Sequence, residues 1–303
     1  MWLVLGLCSC ARITPSAAPL SAWPEPQPAT AVATGPLAAP REGAKPNGKP
    51  AGKPGKRALY ARSCELGSAI GCNDLAILLG SADAQALPSL ERACSLGLTR
   101  GCANLGAELL RNEPTNAARS RALRLLADAC ERNDEFGCSE LGDGLYAEQA
   151  RGDTSALGRA HTAYEKACKL GQLVACFSEA WMLKNGEGTP KDPRRARELF
   201  RFLCNQEGYD ACAALGFDLM GDAQTREEFD EGVRWSQLAC EHDAAFGCYT
   251  LGRLAAGSPD DALKLLKRSC VLGFPDACKQ AAALEERLKH PAAAASDADS
   301  DED

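Results

Sequence analysis

Histidine is scarce in this chain, with only His161, His242 and His290 in 303 residues. No His-Glu-x-x-His occurs, so the helix that sets two imidazoles and a general base on one face is missing. Ser-x-x-Lys is absent too, and with it the nucleophile-and-base pairing of penicillin-recognising serine enzymes. Thiol exchange wants Cys-x-x-Cys with a depressed thiol pKa, and that spacing does not occur. No apolar run is long enough to span a bilayer as a helix. Positive charge is not in excess either: the formal net charge is −7. That balance argues against nucleic acid, whose binding needs clustered cations.

Cysteine is what the chain has. Seven times a cysteine is followed by another eight positions later: Cys64/Cys72, Cys94/Cys102, Cys130/Cys138, Cys168/Cys176, Cys204/Cys212, Cys240/Cys248 and Cys270/Cys278. These are 14 of the 16 cysteines. The pairs recur with a period of roughly 36 residues, which signifies stacked repeats rather than one globular core. Only the first and last steps, Cys64 to Cys94 and Cys240 to Cys270, are shorter. An even cysteine count at constant spacing reads as a disulfide framework and an oxidising compartment.

The surroundings of each pair repeat as well. The residue before the second cysteine is always small (Gly71, Gly101, Gly137, Ala175, Ala211, Gly247, Ala277), and so is the fourth after it (Ala76, Gly106, Gly142, Ala180, Gly216, Gly252, Ala282). Leucine stands three after it in five units, with Glu179 and Ala281 as exceptions. Offsets of four and eight upstream of the first cysteine mark one face of a helix. Each first cysteine therefore ends a helix and each second one opens another. Eight residues of continuous helix would hold the two about 12 Å apart, beyond the roughly 7 Å that a disulfide spans. The chain must reverse between them. Gly67, Gly97, Gly171 and Gly273 stand three past the first cysteine, where a left-handed cap would sit, and Asn133 and Asp243 tolerate the same conformation. Zinc is the competing reading, but structural zinc sites favour gaps of two to four residues, often with histidine. No metal or cofactor is expected.

The pattern A-C-x-L-G-x-x-x-[GA]-C-x-x-L-G, seen at Ala93–Gly106 and more loosely six further times, resembles Sel1-like repeats, and most of all the cysteine-rich secreted Hcp-type subgroup. The segment from Lys184 to Ala196 resembles that family's long intra-repeat loop, and the first and last intervals lack six residues of it. The resemblance covers residues 58–289. It implies antiparallel helix pairs stacked as an α-solenoid, a right-handed superhelix like tetratricopeptide repeats, with a concave face that binds proteins or peptides. For some members it also implies a β-lactamase or penicillin-binding activity.

The ends have their own character. Met1 to Cys10 closes on Leu7-Cys8-Ser9-Cys10, which resembles a bacterial lipobox with Cys10 as the acylated residue. Residues 11–57 hold ten of the 17 prolines and read as an extended linker. Residues 290–303 form an acidic tail. The leader and linker together carry seven Lys or Arg and two Asp or Glu, hence +5, and the tail carries −5. The net −7 therefore lies on residues 58–296.

In a tetratricopeptide-like stack the first helix of each repeat lines the groove, and here that helix carries the second cysteine. Positions one and five after it face the groove by helical geometry. They are Asn73/Ile77, Ala103/Ala107, Ser139/Asp143, Phe177/Trp181, Ala213/Phe217, Tyr249/Arg253 and Lys279/Ala283. The expected binding residues are Asn73, Asp143, Phe177, Trp181, Phe217, Tyr249 and Arg253, since aromatics and arginine in a concavity anchor interfaces. The competing reading packs Phe177 and Trp181 against the next helix. Three functions follow: an extracytoplasmic, lipid-anchored scaffold for a protein or peptide, a β-lactamase, or a structural envelope spacer. Nucleic acid is not an expected partner, and the membrane is met only through the lipid.

Overall fold

A computed structural model describes residues 55–112, 115–255 and 258–289. The expected leader with Cys10, nearly all of the linker and the acidic tail lie outside them. Among the described residues there are fourteen α-helices: α1 (Lys56–Glu65), α2 (Ala69–Leu79), α3 (Ala86–Ser95), α4 (Thr99–Asn112), α5 (Asn116–Glu131), α6 (Glu135–Gln149), α7 (Ala156–Lys169), α8 (Leu173–Asn185), α9 (Pro193–Asn205), α10 (Tyr209–Asp222), α11 (Arg226–Glu241), α12 (Ala245–Leu254), α13 (Pro259–Val271) and α14 (Pro275–Lys289). Helix α1 takes in the last two residues assigned to the linker.

Every odd-numbered helix ends one residue past a first cysteine, as expected. The second cysteines do not open their helices, however. Cys72, Cys102, Cys138, Cys176, Cys212, Cys248 and Cys278 each stand three residues inside, at the end of the first turn. The reason is that only three residues make the reversal, fewer than the spacing of eight allows. The middle one is left-handed each time: Gly67, Gly97, Gly171 and Gly273, and also Asn133, Glu207 and Asp243. Its N–H donates to the carbonyl of the first cysteine, and the next N–H donates to the residue before that cysteine (Leu98 to Ala93, Asp134 to Ala129). These bonds satisfy carbonyls that the helix end leaves open. In the first six turns the same third residue accepts from the N–H of the second cysteine, as Leu98 does from Cys102, so one residue closes one helix and opens the next.

Glu207 is the residue whose left-handed backbone, at φ 63°, the sequence did not signal. A β-carbon there costs about 1 kcal/mol relative to glycine. Glu207→Gly should therefore raise the stability of the oxidised protein by several tenths of a kcal/mol up to about 1 kcal/mol. A thermal melt that shows no gain or a loss would mean that Glu207 makes a compensating contact.

Seven disulfides form, each within its own turn: Cys64–Cys72, Cys94–Cys102, Cys130–Cys138, Cys168–Cys176, Cys204–Cys212, Cys240–Cys248 and Cys270–Cys278, with Cα atoms 4.4–4.8 Å apart. Cys176 and Cys212 are fully buried between helix pairs, whereas Cys278 is half-buried because no described helix follows α14 to cover it. The small residues are what permit so close an approach. A β-carbon on Gly101, Gly137 or Gly247 would sit 2.7–2.8 Å from the β-carbon of Ala93, Ala129 or Ala239, well inside contact distance. The second row of small residues receives the bulky side chain four before the next first cysteine. A β-carbon on Gly106 would meet Leu126 at 2.7 Å, and one on Gly142 would meet the Tyr164 ring at 2.5 Å. Between α10 and α11 the bulk is missing. Ser236 is fully buried there, and a β-carbon on Gly232 would lie 2.7 Å from the carbonyl oxygen of Gly216.

Consecutive helices pack along the whole series. Even-numbered helices also pack on their even neighbours, α2 on α4, α4 on α6, α6 on α8 and α10 on α12, whereas odd-numbered helices do not pack comparably on one another. The array is thus a stack of helix pairs in which the helices that carry the second cysteines approach one another, except between α8 and α10 and between α12 and α14, where the contact is not comparable.

Candidate interaction surface

On the even-numbered row, the residues one after the second cysteine turn inward at the N-terminal end. Asn73, Ala103 and Ser139 are buried, and Asn73 Oδ1 accepts from Asn104 Nδ2 at 2.7 Å, joining α2 to α4. Asp143, five after Cys138, is exposed and accepts from the Tyr164 hydroxyl at 2.6 Å. Burial, and then this bond, push the Tyr164 pKa up.

From α8 onward the row becomes aromatic. Trp181 is 37 % exposed and Phe217 39 % exposed, one on α8 and the other on α10. The Lys184 ammonium sits 5.3 Å from the Trp181 ring centroid and 5.0 Å from that of Phe217, within the range in which a cation is attracted to a ring face. Lys184 Nζ also pairs with buried Asp218 at 3.2 Å, and Arg197 Nε reaches the other oxygen of that carboxylate at 2.5 Å. Two cations therefore compensate one buried anion, and the lysine stem is held where it separates two exposed rings. Lys184 was open to discovery in the sequence, since it follows Trp181 by three and shares its helix face.

The rings continue past Phe217. Phe217 lies 5.3 Å from Phe246, Phe246 lies 5.8 Å from Phe274, and Tyr249 lies 4.6 Å from Phe274. At the other end Phe177 is half-buried, stacked on Trp181 at 6.5 Å and edge-on to buried Phe200 at 5.5 Å. Gln280 Nε2 donates to the Tyr249 hydroxyl at 2.9 Å. Arg253 is exposed, its guanidinium 5.7 Å from the Tyr249 ring centroid. Phe177, Trp181, Phe217, Tyr249 and Arg253 thus share one band across α8, α10 and α12, while Asn73 and Asp143 sit apart from it on α2 and α6. Phe246 and Phe274 belong to the band as well. They fall in and just after the turns, outside the offsets that mark a groove-facing position.

Among the described residues, no group of three or more His, Cys, Asp or Glu could hold a metal ion. His242 is stacked flat on Tyr209 at 3.9 Å. His161 is half-buried rather than on the surface, its Nε2 has no hydrogen-bond partner, and burial lowers its pKa. Glu179, in the slot that leucine holds elsewhere, is buried on α8, and burial pushes its pKa up to about 7 against the opposing pull of Arg195.

No family model matches the chain, and no curated protein matches it. Solved structures do. A Sel1 repeat protein from Oxalobacter formigenes shares 15% identity at a TM-score of 0.55, over 70% of this chain and 91% of that one. A protective antigen of uropathogenic Escherichia coli, described as displaying an SLR fold, shares 18% identity at a TM-score of 0.39. That match covers 76% of this chain, which spans only 60% of the antigen's length. No helix among the described residues is long and apolar enough to cross a membrane. With its fourteen paired helices and the Oxalobacter likeness together, this chain has the Sel1-like, tetratricopeptide-like repeat fold.

Proposed function

We propose that this protein is an extracytoplasmic scaffold that binds a protein or peptide through the face of its even-numbered helices. The observation that carries this is the pair of exposed rings, Trp181 and Phe217, held apart by Lys184, whose charge is already balanced by Asp218. Single exposed apolar residues are ordinary, but two large exposed rings around one ammonium form a patch, and aromatic residues dominate contact surfaces. Packing of α4 on α6 and of α10 on α12, without comparable contact between odd-numbered helices, supports the even-numbered row as the inner side of the stack. Seven disulfides support a compartment outside the cytoplasm. The same cysteine arrangement supports membership of the Hcp-type subgroup. In this reading residues 1–10 direct export, Cys10 carries the lipid, residues 11–57 act as the spacer and residues 290–303 as an acidic tail.

Capture from envelope extract by the oxidised protein tests the face. Trp181→Ala and Phe217→Ala should each weaken capture tenfold or more, which is about 1.4 kcal/mol, with helical content unchanged. His242→Ala should leave capture as it was. If Trp181→Ala lowers the melting temperature and the folded fraction still captures normally, the ring is packing and the face lies elsewhere. Turnover of a chromogenic cephalosporin by the wild type would instead favour the β-lactamase function.

A further inference from the structure

The last step of the array, from Cys240 to Cys270, is shorter than the four before it, and the shortfall is visible in one helix. Helices α4, α6, α8, α10 and α14 run nine to eleven residues beyond their second cysteine, but α12 stops six beyond Cys248, at Leu254. About one turn, some 5 Å of helix, is missing. Helix α2 is nearly as short, but it is flanked by the ten-residue α1 and α3, whereas α12 follows the sixteen-residue α11. The end of α10 and the start of α11 therefore reach past Leu254, the last residue of α12.

Two hollows adjoin that notch, the second reaching away from it along α11 to Glu241 and along α13 to Arg268. The one toward the aromatic band holds about 260 Å³, and its lining includes Phe217, Gly221, Phe229, Tyr249, Arg253 and Leu254. The second holds about 530 Å³, and Phe229 and Leu254 line it too. A cavity of roughly 150 Å³ takes a benzene ring, so the smaller hollow admits one large side chain. At its rim stands Arg253. The other cations nearby on this face are paired within the array, Lys184 with Asp218 and Lys279 with Asp276. Arg253 makes no ion pair among the described residues and faces only the Tyr249 ring.

We infer that the notch at the end of α12 is the specificity pocket of the binding face: it takes one bulky apolar side chain of a partner peptide, and Arg253 pairs with a carboxylate next to it. This rests on the binding function proposed above. An apolar hollow beside an unpaired guanidinium fits a ligand that brings both a ring or branched side chain and an anion, because the carboxylate gains a charge-assisted partner while the hollow excludes water. The carboxylate comes from an Asp or Glu side chain or from the end of a peptide chain.

The full-length oxidised protein would be incubated with arrayed random heptapeptides, one set amidated and one set with a free terminal carboxylate. Bound peptides should carry an acidic group within two positions of Phe, Trp, Leu or Met. Binding in both sets points to a side-chain carboxylate, and binding in the free set alone points to the chain terminus. Arg253→Glu should cost tenfold or more and Arg253→Lys less. Gly221→Leu is the second variant. A β-carbon on Gly221 meets nothing within 4 Å, and its φ is not positive, so the leucine enters the hollow without strain. It should abolish binding with the melting temperature unchanged. Peptides bound without any acidic group overturn the inference. So does unaltered binding by Arg253→Glu and Gly221→Leu while Trp181→Ala fails, and in that case the binding face itself stands. If the wild type binds no peptide in either set, the inference falls, while capture from envelope extract decides the binding face on its own.

Discussion

Reduction should unfold the array. Each bridge closes a small loop and by loop-closure entropy stabilises the native state by about 2.5 kcal/mol, so seven of them together exceed the roughly 5–15 kcal/mol that holds an ordinary domain folded. The rest of the structure offers little in exchange. Its seams are lined with glycine and alanine, which bury small areas, and many of its larger apolar side chains remain half-exposed. The expected result is loss of helical content on adding a thiol reductant at room temperature, and seven nearest-neighbour pairs on peptide mapping of the oxidised protein. A reduced protein that melts as the oxidised one does would show that the packing of small residues alone specifies the stack. A Cys72–Cys94 linkage would contradict the turns themselves.

The second large effect lies at Glu179. Its carboxyl is 5 % exposed, and burial holds its pKa near 7, with Arg195 pulling it down and Glu165 pushing it further up. A carboxyl whose pKa is raised by folding binds its proton more tightly in the native state. Stability from this group is therefore complete below the unfolded value near 4.3 and is lost as pH rises through 7. The shift corresponds to about 3–4 kcal/mol. His161, whose pKa burial lowers, acts in the opposite direction on acidification, so the wild-type curve alone does not isolate Glu179. The difference between wild type and Glu179→Gln does. Wild type should lose stability relative to that variant from pH 5 to pH 8. Glu179→Leu, which restores the residue found in five other units, should be the more stable protein at pH 8 by about 2 kcal/mol. Parallel pH curves for wild type and Glu179→Gln would mean that the charge reaches water.

The ends of the odd-numbered helices were legible because a disulfide turn constrains both partners at once. The starts of the even-numbered ones fall three residues before the expected cysteine, since the spacing does not say how few residues the reversal uses. The eight-residue spacing requires a reversal, and the reversal requires a left-handed residue and small neighbours, all of which are printed in the sequence. Glu207 escaped because nothing about glutamate announces a left-handed backbone; the bridge and its two hydrogen bonds impose it. The aromatic band was half legible. Helical offsets identify which residues share a face of one helix, and they found Trp181, Phe217, Tyr249 and Arg253. They do not say how near the next even-numbered helix stands. Asn73, Ala103 and Ser139 have the right offset and are buried because α2, α4, α6 and α8 pack directly on one another. Phe274 entered from a turn, which has no helical period to reveal it, and Phe246 from the first turn of α12, two before the cysteine from which the offsets were counted.

The placement of the bridges also decides how the array would bear a load. Joints alternate: the turn that carries a disulfide cannot open, while the joint between an even-numbered helix and the odd-numbered one after it has no covalent link and is held by packing and hydrogen bonds. A pull on the two ends would pass through sulfur at every second joint and leave the seven turns slack. Extension would come from the helix hairpins between bridges, one at a time, each yielding only the chain from a second cysteine to the next first one. Those lengths are short at the first and last intervals and longer in the four between. Force spectroscopy would read them as a ladder of small steps that ends while the protein is still far from fully stretched, a tether with a built-in stop.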